Sequence, residues 1–175
     1  ITQRTSGFID KMVELLEKKG IKTAVIGHDK FKNKVSESDA KAIIEVRVPA
    51  QVDDAAGKTE ASTVLEKADT IAIYGSNEFA AKAIINANGS FKESKLGADK
   101  ILAVGFDSGA LQQDAIRNGI FVGSVTQDPI QIGYQAVKLA IEAAQGKEVK
   151  DVDTGSKWYD AKNIDSDEIK PLLYQ

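Results

Sequence analysis

Short apolar runs alternate with amphipathic segments along most of the chain, and this alternation limits its fold more than any other feature. An apolar run covers 23–27, and strands are predicted at 43–48, 70–75, 100–105 and 120–126. Helices are predicted at 5–19, 54–67, 78–88, 109–118 and 129–145, followed by an extended segment near 149–159 and a short helix near 166–173. Because strands that are apolar throughout need cover on both sides, the pattern predicts an α/β fold: a parallel sheet with helices on both faces.

The first predicted helix carries its apolar residues at the spacing of one buried face. These residues are Phe8, Met12, Leu15 and Leu16, and Gly20 is expected to end the helix. The stretch that follows, 21–41, is rich in lysine and is interpreted as an insertion with no assigned role.

Composition and motifs exclude several classes of function. The chain has 175 residues, a net charge of −3 and no cysteine, which excludes disulfides and thiolate metal sites and gives no electrostatic reason to expect a nucleic acid partner. The only histidine is His28, and no phosphate-binding glycine loop or nucleophile elbow is present. Asp151 begins a calcium-like loop that fails because its twelfth position is Lys162. We therefore expect no metal, no cofactor and no enzyme activity.

Polar side chains follow three consecutive predicted strands. Asn77 comes after strand 70–75, Asp107 after strand 100–105, and Gln127 ends strand 120–126. Ligands of open α/β sheets bind at the carboxyl ends of the strands, and two amides with a carboxylate suit the paired hydroxyls of a sugar. The alternative is that Asn77 and Asp107 only cap the helices after them. Helix capping explains Gln127 less well, because Asp128 is the better cap for helix 129–145.

Four stretches of the chain resemble one protein family: Arg4-Thr5-Ser6-Gly7-Phe8, Ile73 to Ala80, Val104-Gly105-Phe106-Asp107 and Thr126 to Gly133. They are similar to the carboxy-terminal part of the ribose-binding protein family, the periplasmic sugar receptors of the type I solute-binding fold. The resemblance implies two α/β lobes joined by three crossing segments, which close over a sugar in the cleft between them. It implies that 1–127 form the carboxy-terminal sugar-binding lobe, that 128–159 supply a helix and strand of the amino-terminal lobe, and that 160–175 form a tail.

The resemblance also implies roles for individual residues. Arg4 matches an arginine that binds sugar oxygens, and Asn77 matches an asparagine that bonds hydroxyls. Asp107 matches a bidentate aspartate, and Gln127 a glutamine where the chain crosses between lobes. Val52 stands where ribose-binding protein has a stacking phenylalanine, which argues against ribose itself as the ligand.

Most of the amino-terminal lobe is missing from this sequence when it is compared with the family. The helix at 129–145 would then lack the sheet on which the family packs it, although Ile130, Tyr134, Val137 and Ile141 make it apolar on a wide face. Exposed apolar faces of this size usually mark association. We expect the chain, which starts at Ile1, to be processed or incomplete, with the missing lobe or a second chain covering this helix.

The function implied by the resemblance is that of the sugar-binding component of an ATP-driven (ABC) importer. Its partners would be a pentose, hexose or deoxysugar and the membrane permease, and its location the periplasm or the outer face of a membrane as an anchored lipoprotein. Two alternatives stay open: the effector-sensing core of a lactose-repressor-type regulator, and a sugar sensor for a chemoreceptor. An upstream signal peptide or lipoprotein cysteine would indicate a receptor, and a helix-turn-helix would indicate a regulator.

Overall fold

The computed structural model describes residues 2–174, which divide into two units between Ala56 and Gly57. In the first unit, helix α1 (Thr2–Lys18) is followed by strand β1 (Thr23–Ile26), a 3-10 turn (Glu37–Asp39) and strand β2 (Ala42–Glu45). The two strands pair in parallel. Helix α1 ends as predicted before Gly20, whose φ of 72° places it in the left-handed region that favours glycine.

One expectation for the first unit is wrong in part, because Phe8 packs on the buried cluster of this unit whereas the centre of the buried face lies elsewhere. Helix α1 buries Ile9 and Val13, whereas the predicted core residue Leu15 is 43% exposed. The face is displaced because the isoleucine and valine follow the same four-residue spacing and pack on Val25 of β1. Within the stretch 21–41, residues 23–26 form β1, a buried strand paired with β2, and the interpretation of the stretch as an insertion stays a prediction.

The second unit is built on a four-stranded sheet. Helix α2 (Asp54–Glu66) precedes the first strand of this sheet in the chain. The elements that follow are β3 (Ala72–Tyr74), α3 (Glu78–Asn88), β4 (Leu102–Phe106), α4 (Ala110–Arg117), β5 (Gly123–Gln127), α5 (Pro129–Ala144) and β6 (Ser156–Tyr159). The strand order is β3-β4-β5-β6. Strands β3, β4 and β5 are parallel, which confirms the predicted α/β architecture, and β6 is antiparallel to β5. The short helix expected near 166–173 is a 3-10 turn, Lys170–Leu172.

The core of this unit is one cluster of buried side chains from the sheet, from helices α2, α3 and α4 and from the segment after β6. Ala103, Ile116, Phe121 and Tyr159 are at most 2% exposed. Along β5, Ser124 and Thr126 face this core although both are polar. These hydroxyls need hydrogen-bond partners because burial removes their water.

Helix α5 contributes no buried residue. Its apolar side chains Ile130, Tyr134, Val137 and Ile141 are between 54% and 62% exposed. The uncovered face is therefore present in the structure, whereas the missing lobe or second chain that would cover it stays a prediction. The division into 1–127, 128–159 and 160–175 also stays a prediction. Among residues 2–174 no helix is long and apolar enough to cross a membrane.

Candidate functional site

The carboxyl ends of three parallel strands lie side by side at one edge of the second unit's sheet. Tyr74 of β3 is paired with Val104 of β4, and Phe106 of β4 with Val125 of β5. Chain connections place Asn77 after β3, Asp107 after β4 and Gln127 at the last position of β5. The strand order therefore brings the ends that carry these three side chains to the same edge, as the sequence predicts.

Asn77 caps helix α3. Its backbone is extended, and its Oδ1 accepts a hydrogen bond of 2.9 Å from the backbone N–H of Ala80. This contact satisfies one of the helix N–H groups that have no partner within the helix. The capping role expected as an alternative is therefore real for Asn77, and it occupies the side-chain oxygen while Nδ2 remains a donor group.

Asp107 does not cap the helix that follows it. Helix α4 is preceded by Gly109, which makes no side-chain cap. The Asp107 carboxylate instead reaches across to α3, where Oδ2 accepts a bond of 3.1 Å from the backbone N–H of Glu78. The structure thus places the side chains of Asn77 and Asp107 at the same helix N-terminus, where the helix dipole favours a negative charge.

The backbone of Asp107 has a conformation that L-residues rarely adopt. Its φ is 76°, and it is the only non-glycine residue with positive φ in the part of the chain described here. Its N–H donates to the carbonyl of Val125 at 2.7 Å. Its own carbonyl accepts bonds from Tyr159 Oη at 2.8 Å and Ser124 Oγ at 2.9 Å. These partners hold the turn after β4 in a fixed shape.

Gln127 is not needed as a helix cap. Asp128 fills that role, because its Oδ1 accepts a bond of 2.9 Å from the backbone N–H of Gln131. Pro129 occupies the first turn of α5, where its missing N–H costs nothing. Gln127 is half-buried, and its backbone carbonyl accepts a bond of 3.1 Å from Thr126 Oγ1.

Arg4 and Val52 lie in the first unit. Arg4 is a half-buried residue of α1, and Val52 is 87% exposed in the segment before α2. Their predicted roles in ligand binding stay predictions.

Sequence reasoning missed two residues beside Asp107. Glu78 is the first residue of α3, and its Oε2 accepts a bond of 3.3 Å from Tyr174 Oη. Burial raises the pKa of Tyr174, and the neighbouring carboxylates of Asp107 and Glu78 raise it further. No local pattern links Tyr174 to α3, because the contact joins residues that are far apart in the chain.

Three buried polar residues behind the edge were missed as well: Gln112, Ser124 and Tyr159, each at most 1% exposed. A usable signal existed for Ser124, since a polar residue at an inward position of an apolar strand needs a partner. Burial raises the pKa of Tyr159 to about 12, so its hydroxyl is a neutral donor at ordinary pH. No group of three metal-ligating side chains occurs among residues 2–174.

The edge therefore combines an amide donor, a carboxylate acceptor and a second amide on adjacent strand ends. A carboxylate has about four lone-pair sites, and one oxygen of Asp107 accepts the bond from the Glu78 N–H. Hydrogen bonds to an ionised acceptor are stronger than neutral ones. This arrangement suits a small neutral ligand with adjacent hydroxyl groups, each both donor and acceptor.

We compared the chain with models of protein families, with curated protein sequences and with solved structures. The model of the family described as periplasmic binding protein domain matches residues 3–148. No curated protein sequence matches the chain. Among solved structures, an ABC transporter, LacI family transcriptional regulator from Brachyspira murdochii is 34% identical with a TM-score of 0.73, and the match covers 99% of this chain and 65% of that one.

Two further solved structures show how far the likeness extends. An ABC transporter solute binding protein from Agrobacterium vitis with bound D-fucose is 27% identical with a TM-score of 0.67, covering 78% of this chain and 47% of that one. A glucose-galactose binding protein from Geobacillus stearothermophilus shares the fold at 23% identity and a TM-score of 0.62, covering 93% and 61%. This chain is thus shorter than two thirds of each of these proteins. The family model spans most of its residues, so the chain belongs to the periplasmic binding protein domain family, with the type I fold that the sequence predicts.

Proposed function

We propose that the chain binds a small sugar at the edge of the second unit where Asn77, Asp107 and Gln127 end neighbouring strands. The observation that carries the proposal is the conformation of Asp107. Its left-handed backbone costs free energy, and such outliers persist where the surrounding structure enforces them, often at ligand sites. Helix capping explains Asn77 but not this backbone. In the proposal, Asp107 accepts from one sugar hydroxyl while Asn77 and Gln127 bond its neighbours.

The class of sugar is proposed from the relatives and from the site. The Agrobacterium vitis protein holds D-fucose, which makes a deoxyhexose the first ligand to test, followed by pentoses and hexoses. Arg4 and Val52 are proposed as further ligand contacts on the strength of the family resemblance alone. Valine is smaller than a stacking aromatic residue, so the proposed ligand is not ribose.

The role proposed for the whole protein is the substrate-binding component of an ABC sugar importer. Its partner would be the membrane permease, and its location extracytoplasmic, as for the periplasmic relatives. Members of the family bind rather than transform their ligands, so the proposed mechanism is binding and release without turnover.

A second candidate is favoured by one specific finding. The Brachyspira murdochii structure is described as both an ABC transporter and a LacI family transcriptional regulator. The chain would then be the effector-sensing core of a regulator, and the sugar would act as its signal. A role of the chain as a sugar sensor for a chemoreceptor is compatible with the importer proposal. The coding sequence upstream of Ile1 distinguishes the candidates, because a signal peptide indicates a receptor and a helix-turn-helix indicates a regulator.

The proposal is tested by thermal-shift and calorimetric titration of the full chain with D-fucose, D-arabinose, D-galactose and D-ribose. A ligand at about 100 times its Kd should stabilise the protein by about 2.7 kcal/mol. Asp107→Asn should abolish the shift, because it removes the charge while keeping the shape of the side chain. Asp114→Asn, the same change on the exposed side of α4, is the matched control and should bind like wild type. If no sugar binds, the carbohydrate proposal is wrong.

A further inference from the structure

The backbone carbonyl of Asp107 is the meeting point of three buried side chains. Tyr159 Oη donates at 2.8 Å, Ser124 Oγ at 2.9 Å and Gln112 Nε2 at 3.3 Å. Tyr159 and Ser124 are fully buried and Gln112 is 1% exposed. The donors come from β6, β5 and α4, so three separate elements converge on one peptide group.

This convergence supplies what a left-handed aspartate needs. A residue with a Cβ loses about 1–2 kcal/mol in this conformation, and it adopts it only where its surroundings enforce it. A carbonyl oxygen has two lone pairs, and the two shorter bonds are enough to fill them. Buried hydroxyls are costly without partners, so Tyr159 and Ser124 both resist any rotation of this peptide.

We infer that Tyr159 is a positioning residue for the sugar site: by donating its hydroxyl to the Asp107 carbonyl, it fixes the backbone turn that presents the Asp107 carboxylate at the sheet edge. The inference rests on the proposed function, and it deepens it by assigning a role to a residue of β6. Tyr159 does not touch the ligand in this account. Its hydroxyl is separated from the proposed ligand by the Asp107 backbone, and it acts only through that residue.

The sheet topology explains why the hydroxyl comes from β6. This strand is antiparallel to β5, and its last residue, Tyr159, is paired with Ser124. The two donors therefore stand next to each other on adjacent strands and reach the same carbonyl. Loss of either leaves the other to hold the turn with less constraint.

The alternative is that Tyr159 is a packed core residue, whose hydrogen bond to the Asp107 carbonyl satisfies the buried hydroxyl but does not position Asp107. That view predicts a loss of stability on substitution and nothing else. The two views differ in whether the Asp107 backbone and the ligand affinity change, which gives the experiment its readout.

The test compares the full-length variant Tyr159→Phe with wild type by calorimetric titration with D-fucose and by NMR of the Asp107 backbone and Cβ resonances. We expect about tenfold weaker binding, the factor that corresponds to one hydrogen bond, and a shifted Asp107 resonance. Tyr134→Phe makes the same chemical change at an exposed position of α5 and should alter neither. Ile116→Val, a change of a fully buried side chain that has no polar group to donate to this carbonyl, should lower stability while leaving affinity and the Asp107 resonance unchanged.

Unchanged affinity and an unchanged Asp107 resonance in Tyr159→Phe would overturn the inference. If wild type binds neither D-fucose nor any of the other sugars, the proposed function fails. The Asp107 resonance alone then decides whether Tyr159 holds the Asp107 turn. If Tyr159→Phe does not fold, Ser124→Ala removes the second donor and is judged by the same two measurements.

Discussion

Replacing Asp107 by alanine and by glycine should reverse the usual order of stability between these two residues. Elsewhere alanine is the more stabilising, by about 0.4–1 kcal/mol, because it restricts the unfolded chain. At a φ of 76° alanine instead carries the steric cost of the left-handed region, about 1–2 kcal/mol, which glycine avoids. Both variants lose the bond to the Glu78 N–H equally, so this loss cancels. Asp107→Gly should therefore be more stable than Asp107→Ala by about 1 kcal/mol.

The measurement is urea unfolding followed by fluorescence. Trp158 is the only tryptophan of the chain and lies on β6, so its signal reports the second unit. With slopes of about 1–3 kcal/mol per molar urea, a difference of 1 kcal/mol displaces the midpoint by about 0.5 M. The matched pair Asp114→Ala and Asp114→Gly lies within α4 and should show the ordinary order, alanine above glycine. An Asp107→Ala protein as stable as Asp107→Gly would refute the strain argument.

Three further predictions follow from the second unit. Phe121→Ala should cost about 3–5 kcal/mol in urea unfolding because Phe121 is 2% exposed, whereas Val122→Ala, at a position 44% exposed, should cost about 0.5 kcal/mol. Burial raises the pKa of Tyr159 to about 12 from the ~10 of an unfolded tyrosine. The neutral hydroxyl therefore contributes fully to the free energy of unfolding below pH ~10, and this contribution is lost as the pH rises from ~10 to ~12. Tyr159→Phe should remove that pH dependence from unfolding measured over this range. The exposed face of α5 should make the purified chain associate with increasing concentration in sedimentation, and Val137→Glu should reduce this association; a monomeric chain would contradict it.

The strand-end positions were accessible to sequence reasoning because they follow from periodicity and one topological rule. Continuous apolar runs predict parallel strands, and the carboxyl ends of adjacent parallel strands must meet at one edge. That reasoning placed Asn77 and Asp107 at the same edge, and their hydrogen bonds to Ala80 and Glu78 put both side chains at the N-terminus of α3. The start of α5 was equally accessible, since Asp128 and Pro129 mark it as predicted, whereas α1 begins at Thr2 and not at the predicted residue 5.

Other features depended on contacts that no local pattern contains. The buried face of α1 could not be chosen between two apolar spacings until β1 was in place, because Val25 decides which side of the helix is covered. The left-handed backbone of Asp107 depends on Tyr159, which lies 52 residues further along the chain. The antiparallel direction of β6 was likewise hidden, because an isolated extended segment carries no information about the direction of its partner.

The position of β6 has a consequence for folding. Strand β5 is separated from its antiparallel neighbour by the whole of α5 and the loop that follows, so their pairing closes a long segment of chain and should form late. Until it forms, the outer edge of β5 offers unpaired backbone groups to other chains. The second unit is therefore most vulnerable to aggregation during synthesis and refolding, and slowing the arrival of β6 would prolong that exposure.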